Sequence, residues 1–129
     1  MTESTASTSE IQAMLQSFIT TGWLETENHY RIPQDYRGEP LALVTRQDVL
    51  RILQRFLTGE WDNQGIGSWG GALFASYGDY ITYEAGYGTV IDDVLGRLAS
   101  FWTSLTAEDV QQYIRILQQA QYDPNDLTT

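Results

Sequence analysis

Apolar residues recur at helical spacing in four separate stretches of the chain. In the first stretch they are Ile11, Met14, Leu15, Phe18 and Ile19. This spacing matches the period of about 3.6 residues of an amphipathic α-helix, whose apolar face packs on a core. The pattern predicts a helix that begins near Ser9, and Gly22 is placed to end it.

The second stretch carries the clearest signals for a beginning and an end. Thr45 and Asp48 are placed as N-cap and N3 residues, a near match to the capping box, and Gly59 is placed to end the helix. Its predicted buried residues are Val49, Leu50, Leu53, Phe56 and Leu57. Its arginines, at positions 46, 51 and 55, are predicted to face outward.

The third and fourth helices lie in the C-terminal part of the chain. Apolar residues between Val90 and Leu98 predict a helix that ends around Ser100. Residues 106–109 repeat the Thr-x-x-Asp capping pattern and open a last helix that closes before Pro124. Both helices have one apolar face and therefore belong to one core.

Between the helices the chain predicts loops with short extended pieces. Pro33 and Pro40 exclude a helix through residues 23–44. Residues 29–32, 41–44 and 80–84 have the character of short strands. In the centre, residues 66, 69 and 73 are spaced for a helix, but each glycine at positions 65, 67, 70 and 71 costs about 1 kcal/mol relative to Ala there. The centre is therefore expected to be irregular.

Together these patterns predict a mostly α fold. We expect a compact bundle of four to five helices with an irregular central segment rich in glycine and aromatic residues, and at most a short β-bridge. Residues 9–122 are expected to form a single helical domain, flanked by flexible tails at 1–8 and 123–129.

The net charge of the chain restricts the kinds of partner that it can bind. Seventeen carboxylates and seven basic residues, all arginine, give the 129-residue chain a net charge of −10. Such a chain repels nucleic acids and anionic membranes over long range and attracts basic proteins. No segment resembles a signal peptide or reaches the roughly 20 apolar residues of a membrane-spanning helix. We expect a cytoplasmic protein that binds neither nucleic acid nor membrane.

Some segments match motifs that form ligand-binding or catalytic sites in other proteins, but in this sequence they are better explained by structural roles. Residues 65–70 match G-x-G-x-x-G, but polar and acidic residues precede them instead of a buried strand. A calcium loop beginning at Asp62 lacks its later ligands. Asp92 and Asp93 would point about 100° apart and are expected to stabilise the first turn of their helix. With no cysteine and a single histidine, His29, in a predicted loop, we predict no catalytic residue, metal site or cofactor.

The centre of the chain instead has the composition of a binding surface. From position 56 to 96 there is no basic residue, but there are eight aromatic residues and six carboxylates. Tyr and Trp are enriched among binding hot spots, although roughly half of these aromatics are expected to be core. The predicted partner-binding residues are Trp61, Asp62, Trp69, Tyr77, Asp79, Tyr80, Tyr83, Glu84 and Tyr87.

Several short segments carry a resemblance to a known class of proteins. They are LVTRQDVLRIL at 43–53, FLTGE at 56–60, YITYE at 80–84, DDVL at 92–95, LTAED at 105–109 and the segment around Trp69. Over about residues 43–119 their order resembles that of small acidic bacterial immunity proteins, of colicin type and of contact-dependent inhibition systems. The resemblance implies a helical body whose acidic groups cover the basic active site of a nuclease toxin.

Two main hypotheses follow. The first is a non-enzymatic immunity or inhibitor protein that binds a basic protein, such as a toxin, through acidic and aromatic residues. The alternative is a structural or adaptor subunit of a larger bacterial assembly. An enzyme would need a converging carboxylate pair, such as Asp79 with Glu84, or a bound metal. The sequence indicates no oligomeric state.

Overall fold

Helices dominate the structure, a computed structural model that describes residues 7–22 and 38–126. Five α-helices and two strands lie in these residues: α1 (Thr8–Thr21), β1 (Ala42–Val44), α2 (Arg46–Leu57), α3 (Asn63–Gly71), β2 (Ile81–Tyr83), α4 (Gly88–Phe101) and α5 (Ala107–Gln119). A π-helical turn (Ala72–Ser76) follows α3, and short 3-10 turns (Gly78–Tyr80 and Trp102–Ser104) precede β2 and follow α4. The predicted mostly α fold is confirmed. His29 and the predicted strand at 29–32 lie outside the described residues.

Local capping explains where three of these helices begin. In each, a Ser or Thr side chain accepts a hydrogen bond from the N3 backbone N–H, and the N3 carboxylate accepts one from the N-cap backbone. The pairs are Ser7–Glu10, Thr45–Asp48 and Thr106–Asp109. Gly22 ends α1 with a φ of 79°, a conformation that glycine adopts readily. The predicted caps of α2 and α5 and the predicted end of α1 are thus confirmed.

The buried face of α2 differs from the prediction at its end. Val49, Leu50 and Leu53 are buried as predicted, whereas Phe56 is half-buried and Leu57 is 36% exposed. Leu57 lies about 80° around the helix from Val49, at the edge of the apolar stripe. The arginines of α2 are also half-buried rather than outward-facing. Those at positions 51 and 55 donate to the carbonyls of residues 20 and 21, at the negative end of the α1 dipole.

The two strands form a parallel pair. Ala42 lies opposite Ile81, and Val44 lies opposite Tyr83. Parallel strands need a long crossover connection, and here α2 and α3 lie between them in the chain. The backbone N–H of Glu84 donates to the carbonyl of Val44 at 2.9 Å. The pairing therefore places Glu84 beside the first turn of α2.

The centre is partly irregular, as predicted, but its glycine-rich start forms α3. Gly67 packs against Trp102, and Gly70 packs against Leu98 of α4. A Cβ atom at Gly70 would lie 2.7 Å from the Cβ of Leu98. The glycines thus let α3 and α4 approach closely, and the packing offsets their low helix propensity. The predicted G-x-G-x-x-G match at residues 65–70 lies inside this helix.

Candidate interaction surface

Three of the nine predicted contact residues belong to the hydrophobic core. Trp69, Tyr77 and Tyr80 are each 1% exposed. The indole N–H of Trp69 donates to the carbonyl of Phe18 at 3.1 Å, and the Tyr77 ring meets the rings of Phe18 and Tyr80 edge to face. Burial raises the pKa of Tyr77 to about 12. Their assignment to a partner-binding surface is therefore corrected: Trp69 and Tyr77 hold α1 to the centre of the chain, and Tyr80 packs on Tyr77.

Three further predicted residues lie outside the hydrophobic core. Trp61 is half-buried against Gly22, where the glycine turn leaves room for its ring. Asp62 is exposed and accepts a hydrogen bond from the backbone N–H of Gly65 at 2.7 Å, so it caps α3. Asp79 is exposed on the 3-10 turn before β2. Trp61 and Asp62 therefore lie side by side next to Gly65, whereas Asp79 lies on a different element.

Two of the remaining predicted residues, Glu84 and Tyr87, meet at Arg46, and the third, Tyr83, contacts α4. The guanidinium of Arg46 donates to both carboxylate oxygens of Glu84, at 3.0 and 2.9 Å, and its Cζ lies 3.4 Å from the centre of the Tyr87 ring. The hydrogen bond with Arg46 lowers the pKa of Glu84 and raises that of Arg46. The hydroxyl of Tyr83 donates a hydrogen bond to Asp92 of α4 at 2.9 Å. The pKa of Tyr83 is raised mainly by burial and, to a smaller extent, by this hydrogen bond. This network joins α2, β2 and α4.

Several central carboxylates are thus occupied within the chain. Glu60 pairs with Arg55 at 3.4 Å, and Asp93 pairs with Arg97 at 2.9 Å. Because α4 begins at Gly88, Asp92 and Asp93 lie in its second turn, and their predicted role in the first turn is wrong. They also point to different partners, so they do not form a dyad. Among the described residues, no three His, Asp or Glu side chains are grouped to hold a metal ion.

A groove on the outer face of α4 presents two exposed phenylalanines beside carboxylates. Its volume is about 530 Å³, and we call it the phenylalanine groove. It is lined by Phe74, Asp92, Asp93, Gly96, Arg97, Ser100 and Phe101. Phe74 is 42% exposed and Phe101 is 56% exposed. Gly96 lets the ring of Phe74 lie close to the backbone of α4.

A second depression lies between the start of α4, the end of α5 and the C-terminal segment (residues 120–126). We call this depression, of about 540 Å³, the acidic hollow; its walls include the carboxylates of Asp93, Asp123 and Asp126. Residues 123–126 were expected to lie in a flexible tail. Instead they form hydrogen bonds with α4 and with the residues just before it. The backbone N–H of Asp123 donates to the Gly86 carbonyl at 3.0 Å, and Asp126 accepts from the Thr89 backbone N–H at 2.9 Å.

Comparison with protein-family models, curated proteins and solved structures finds no match for this chain. Across residues 7–22 and 38–126, none of the helices combines the length and the apolar character needed to cross a membrane. The function is therefore inferred from the geometry of the surface.

Sequence reasoning missed both phenylalanines of the groove. Phe101 follows Leu98 by three positions and reads as a continuation of the apolar stripe of α4. In the structure it is the last residue of that helix and lies beyond the core. Phe74 lies in the π-helical turn, where the helical period that would have indicated its exposure is broken. The local pattern alone gives no signal for either position.

Proposed function

We propose that this chain is a non-enzymatic protein-binding module that neutralises a basic protein, as an immunity protein neutralises a nuclease toxin. The observation that carries the proposal is the phenylalanine groove, where Phe74 and Phe101 are exposed beside Asp92 and Asp93. Large apolar rings that become desolvated by a partner supply contact energy, and the neighbouring carboxylates select a cationic partner.

The total charge supports a basic partner. A net charge of −10 on 129 residues attracts a cationic protein over long range and repels a nucleic acid. Exposed aromatic side chains beside acids also suit an arginine-rich surface, because a guanidinium stacks favourably on an aromatic ring. Nuclease active sites that bind phosphates have this basic character, which agrees with the resemblance of residues 43–119 to immunity proteins.

The test is capture of a basic partner by the tagged chain across a salt series. We expect a cationic protein to be retained at low salt and released as salt screens the charges. Phe101→Ala should weaken its binding at least fivefold, the effect of removing a residue worth about 1 kcal/mol or more at an interface. Leu57→Ala is the matched control, because Leu57 is also an exposed apolar residue at the end of a helix and lies outside the groove.

Neutralisation is measured on the captured protein once it is purified. Its nuclease or other toxic activity should fall as the wild-type chain is added and should fall less with Phe101→Ala. The proposal is refuted if no basic protein is captured, or if the captured protein is equally active with and without the chain.

An adaptor subunit is the second candidate, and the exposure of Phe101 favours it. A ring that is 56% exposed suits permanent burial in an assembly as well as reversible binding. The salt series separates the two functions. A partner retained at high salt, with no toxic activity of its own, would favour the adaptor.

A further inference from the structure

The phenylalanine groove and the acidic hollow lie along one face of α4. Thr89, Asp93 and Arg97 follow one another at intervals of four residues on that helix and therefore share a face. Asp93 lines both depressions, so they adjoin at its side chain. From Thr89 to Phe101 the face runs for about 18 Å at the rise of an α-helix.

The two ends of this face differ in chemistry. At the end near Phe101, the rings of Phe74 and Phe101 are exposed. At the other end, the lining combines the carboxylates of Asp123 and Asp126 with apolar residues that include Val90 and Ile116, which we call the apolar floor. The two depressions together contain four carboxylates and one guanidinium, a net charge of −3.

We infer that the two depressions form one continuous track that binds an extended basic segment of the partner. The apolar residues of the segment lie against Phe74 and Phe101, and its arginine or lysine residues lie at the end formed by Asp93, Asp123 and Asp126. About 18 Å accommodates five or six residues of extended chain. This inference rests on the proposed function and specifies which surface and which part of the partner are used.

The charge argues against a second copy of this chain as the occupant. Each copy carries a net charge of −10, and the track itself is negative. Two copies meeting through it would place carboxylates against carboxylates, which is repulsive. A cationic segment instead finds carboxylates for its charges and an apolar floor for the methylene stems of its arginines or lysines.

The probe is a fluorescein-labelled synthetic peptide of about eight residues, with two leucines near one end and three arginines near the other. Binding is measured by fluorescence anisotropy at low salt, with the fold of each variant checked by circular dichroism. We expect Asp93→Asn and Asp123→Asn each to weaken binding about threefold, the effect of one exposed charge pair. Asp123→Asn keeps the side-chain oxygen that accepts from the backbone N–H of Asn125. Glu108→Gln, which removes one charge at an exposed acid that does not line the track, should leave binding unchanged.

The direction of the peptide is tested by pairing changes in both molecules. Replacing its leucines with alanine should weaken binding to the wild-type chain but have little further effect on Phe101→Ala. Replacing one terminal arginine with glutamine should show the same coupling to Asp123→Asn. The inference is overturned if the arginine-rich peptide does not bind, if the Asp93 and Asp123 variants bind it normally, or if the couplings are exchanged between the two ends.

These outcomes are distinct from failure of the proposed function. If wild type and the track variants capture a basic partner equally well, the proposed binding function stands but the inference that the track binds the partner is refuted. Failure to capture any basic protein would remove the function, whatever the peptide does. Salt-resistant self-association that Phe101→Ala abolishes, together with no peptide binding, would assign the track to a second copy and overturn the inference.

Discussion

The contact between α3 and α4 depends on two glycines whose missing side chains leave room for α4 and the turn after it. At Gly70, an added Cβ atom would lie 2.7 Å from the Cβ of Leu98 and 3.5 Å from the carbonyl oxygen of Leu95. Neither atom can rotate away, because both are fixed by the backbone of α4. The helices must therefore separate or shift to accept an alanine at this position.

The expected cost of Gly70→Ala follows from two opposing effects. Overpacking of a well-packed core costs about 1–3 kcal/mol, and replacing glycine with alanine in a helix returns up to about 1 kcal/mol. We expect a net loss of about 1–2 kcal/mol in the free energy of unfolding and a fall of about 4–7 °C in Tm for a chain of this size. Gly67→Ala should lower the stability by a similar amount, since its Cβ would lie 2.5 Å from the Cβ of Trp102.

Gly71→Ala is the matched control in the same helix. Its Cβ would lie 3.9 Å from the Cβ of Ala99, an ordinary van der Waals contact. Alanine should therefore be neutral or stabilise by up to about 1 kcal/mol through helix propensity and the unfolded state. Urea unfolding of the three variants measures the differences. The explanation for close packing is refuted if Gly70→Ala is as stable as Gly71→Ala.

Three further predictions concern pH and the C-terminal segment. Because its bond with Arg46 lowers the pKa of Glu84, this carboxylate stabilises the fold above its unfolded pKa of about 4.3 and loses that effect as pH falls through the lower folded pKa. Glu84→Gln should flatten the acid side of a plot of unfolding free energy against pH. Because burial raises the pKa of Tyr77 to about 12, stability should be intact below about pH 10 and fall as pH rises toward 12, and Tyr77→Phe should reduce this fall in alkaline urea unfolding. Asp126→Ala should cost about 1 kcal/mol and speed hydrogen exchange of the Thr89 amide, whereas Asp126→Asn, which keeps an acceptor, should cost less.

Elements governed by neighbouring residues were predictable from the sequence. In α2 and α5, the two residues of each capping pair are only three positions apart in the sequence. In α1, the apolar residues recur at a fixed helical period. The short extended segments at 41–44 and 80–84 were also recognised, although their parallel pairing across the chain was not. Strand pairing depends on distant residues, so no local pattern specifies it.

The centre shows why the candidate site was predicted only in part. Helix propensity argued against α3, but packing on α4 reversed that preference. The same composition suggested a surface rich in tyrosine and tryptophan, yet Trp69, Tyr77 and Tyr80 are buried in the core, where Trp69 and Tyr77 contact Phe18 of α1. Burial is a property of the assembled helices, and composition therefore could not separate these three from the exposed Phe74 and Phe101.

The electrostatic interactions of this chain are of two kinds: ion pairs within the chain act locally, and the net charge acts over a long range. Within residues 7–22 and 38–126, four arginines each pair with a carboxylate: Arg46 with Glu84, Arg51 with Asp48, Arg55 with Glu60 and Arg97 with Asp93. Each pair is neutral as a whole, so its field fades quickly with distance and the net charge of −10 is unchanged. Attraction of a basic partner then arises from the whole molecule and acts mainly on the association rate, which salt reduces.

Contact at the phenylalanine groove has a different physical origin. Burial of the Phe101 ring removes apolar surface from water, an effect that screening by salt does not weaken and that acts mainly on dissociation. A salt series and the Phe101→Ala variant therefore measure separate contributions to binding. Among the central acids, Glu60, Asp62 and Glu84 bond to α2 or α3 outside this groove, whereas Asp92 and Asp93 line it and can add to both contributions.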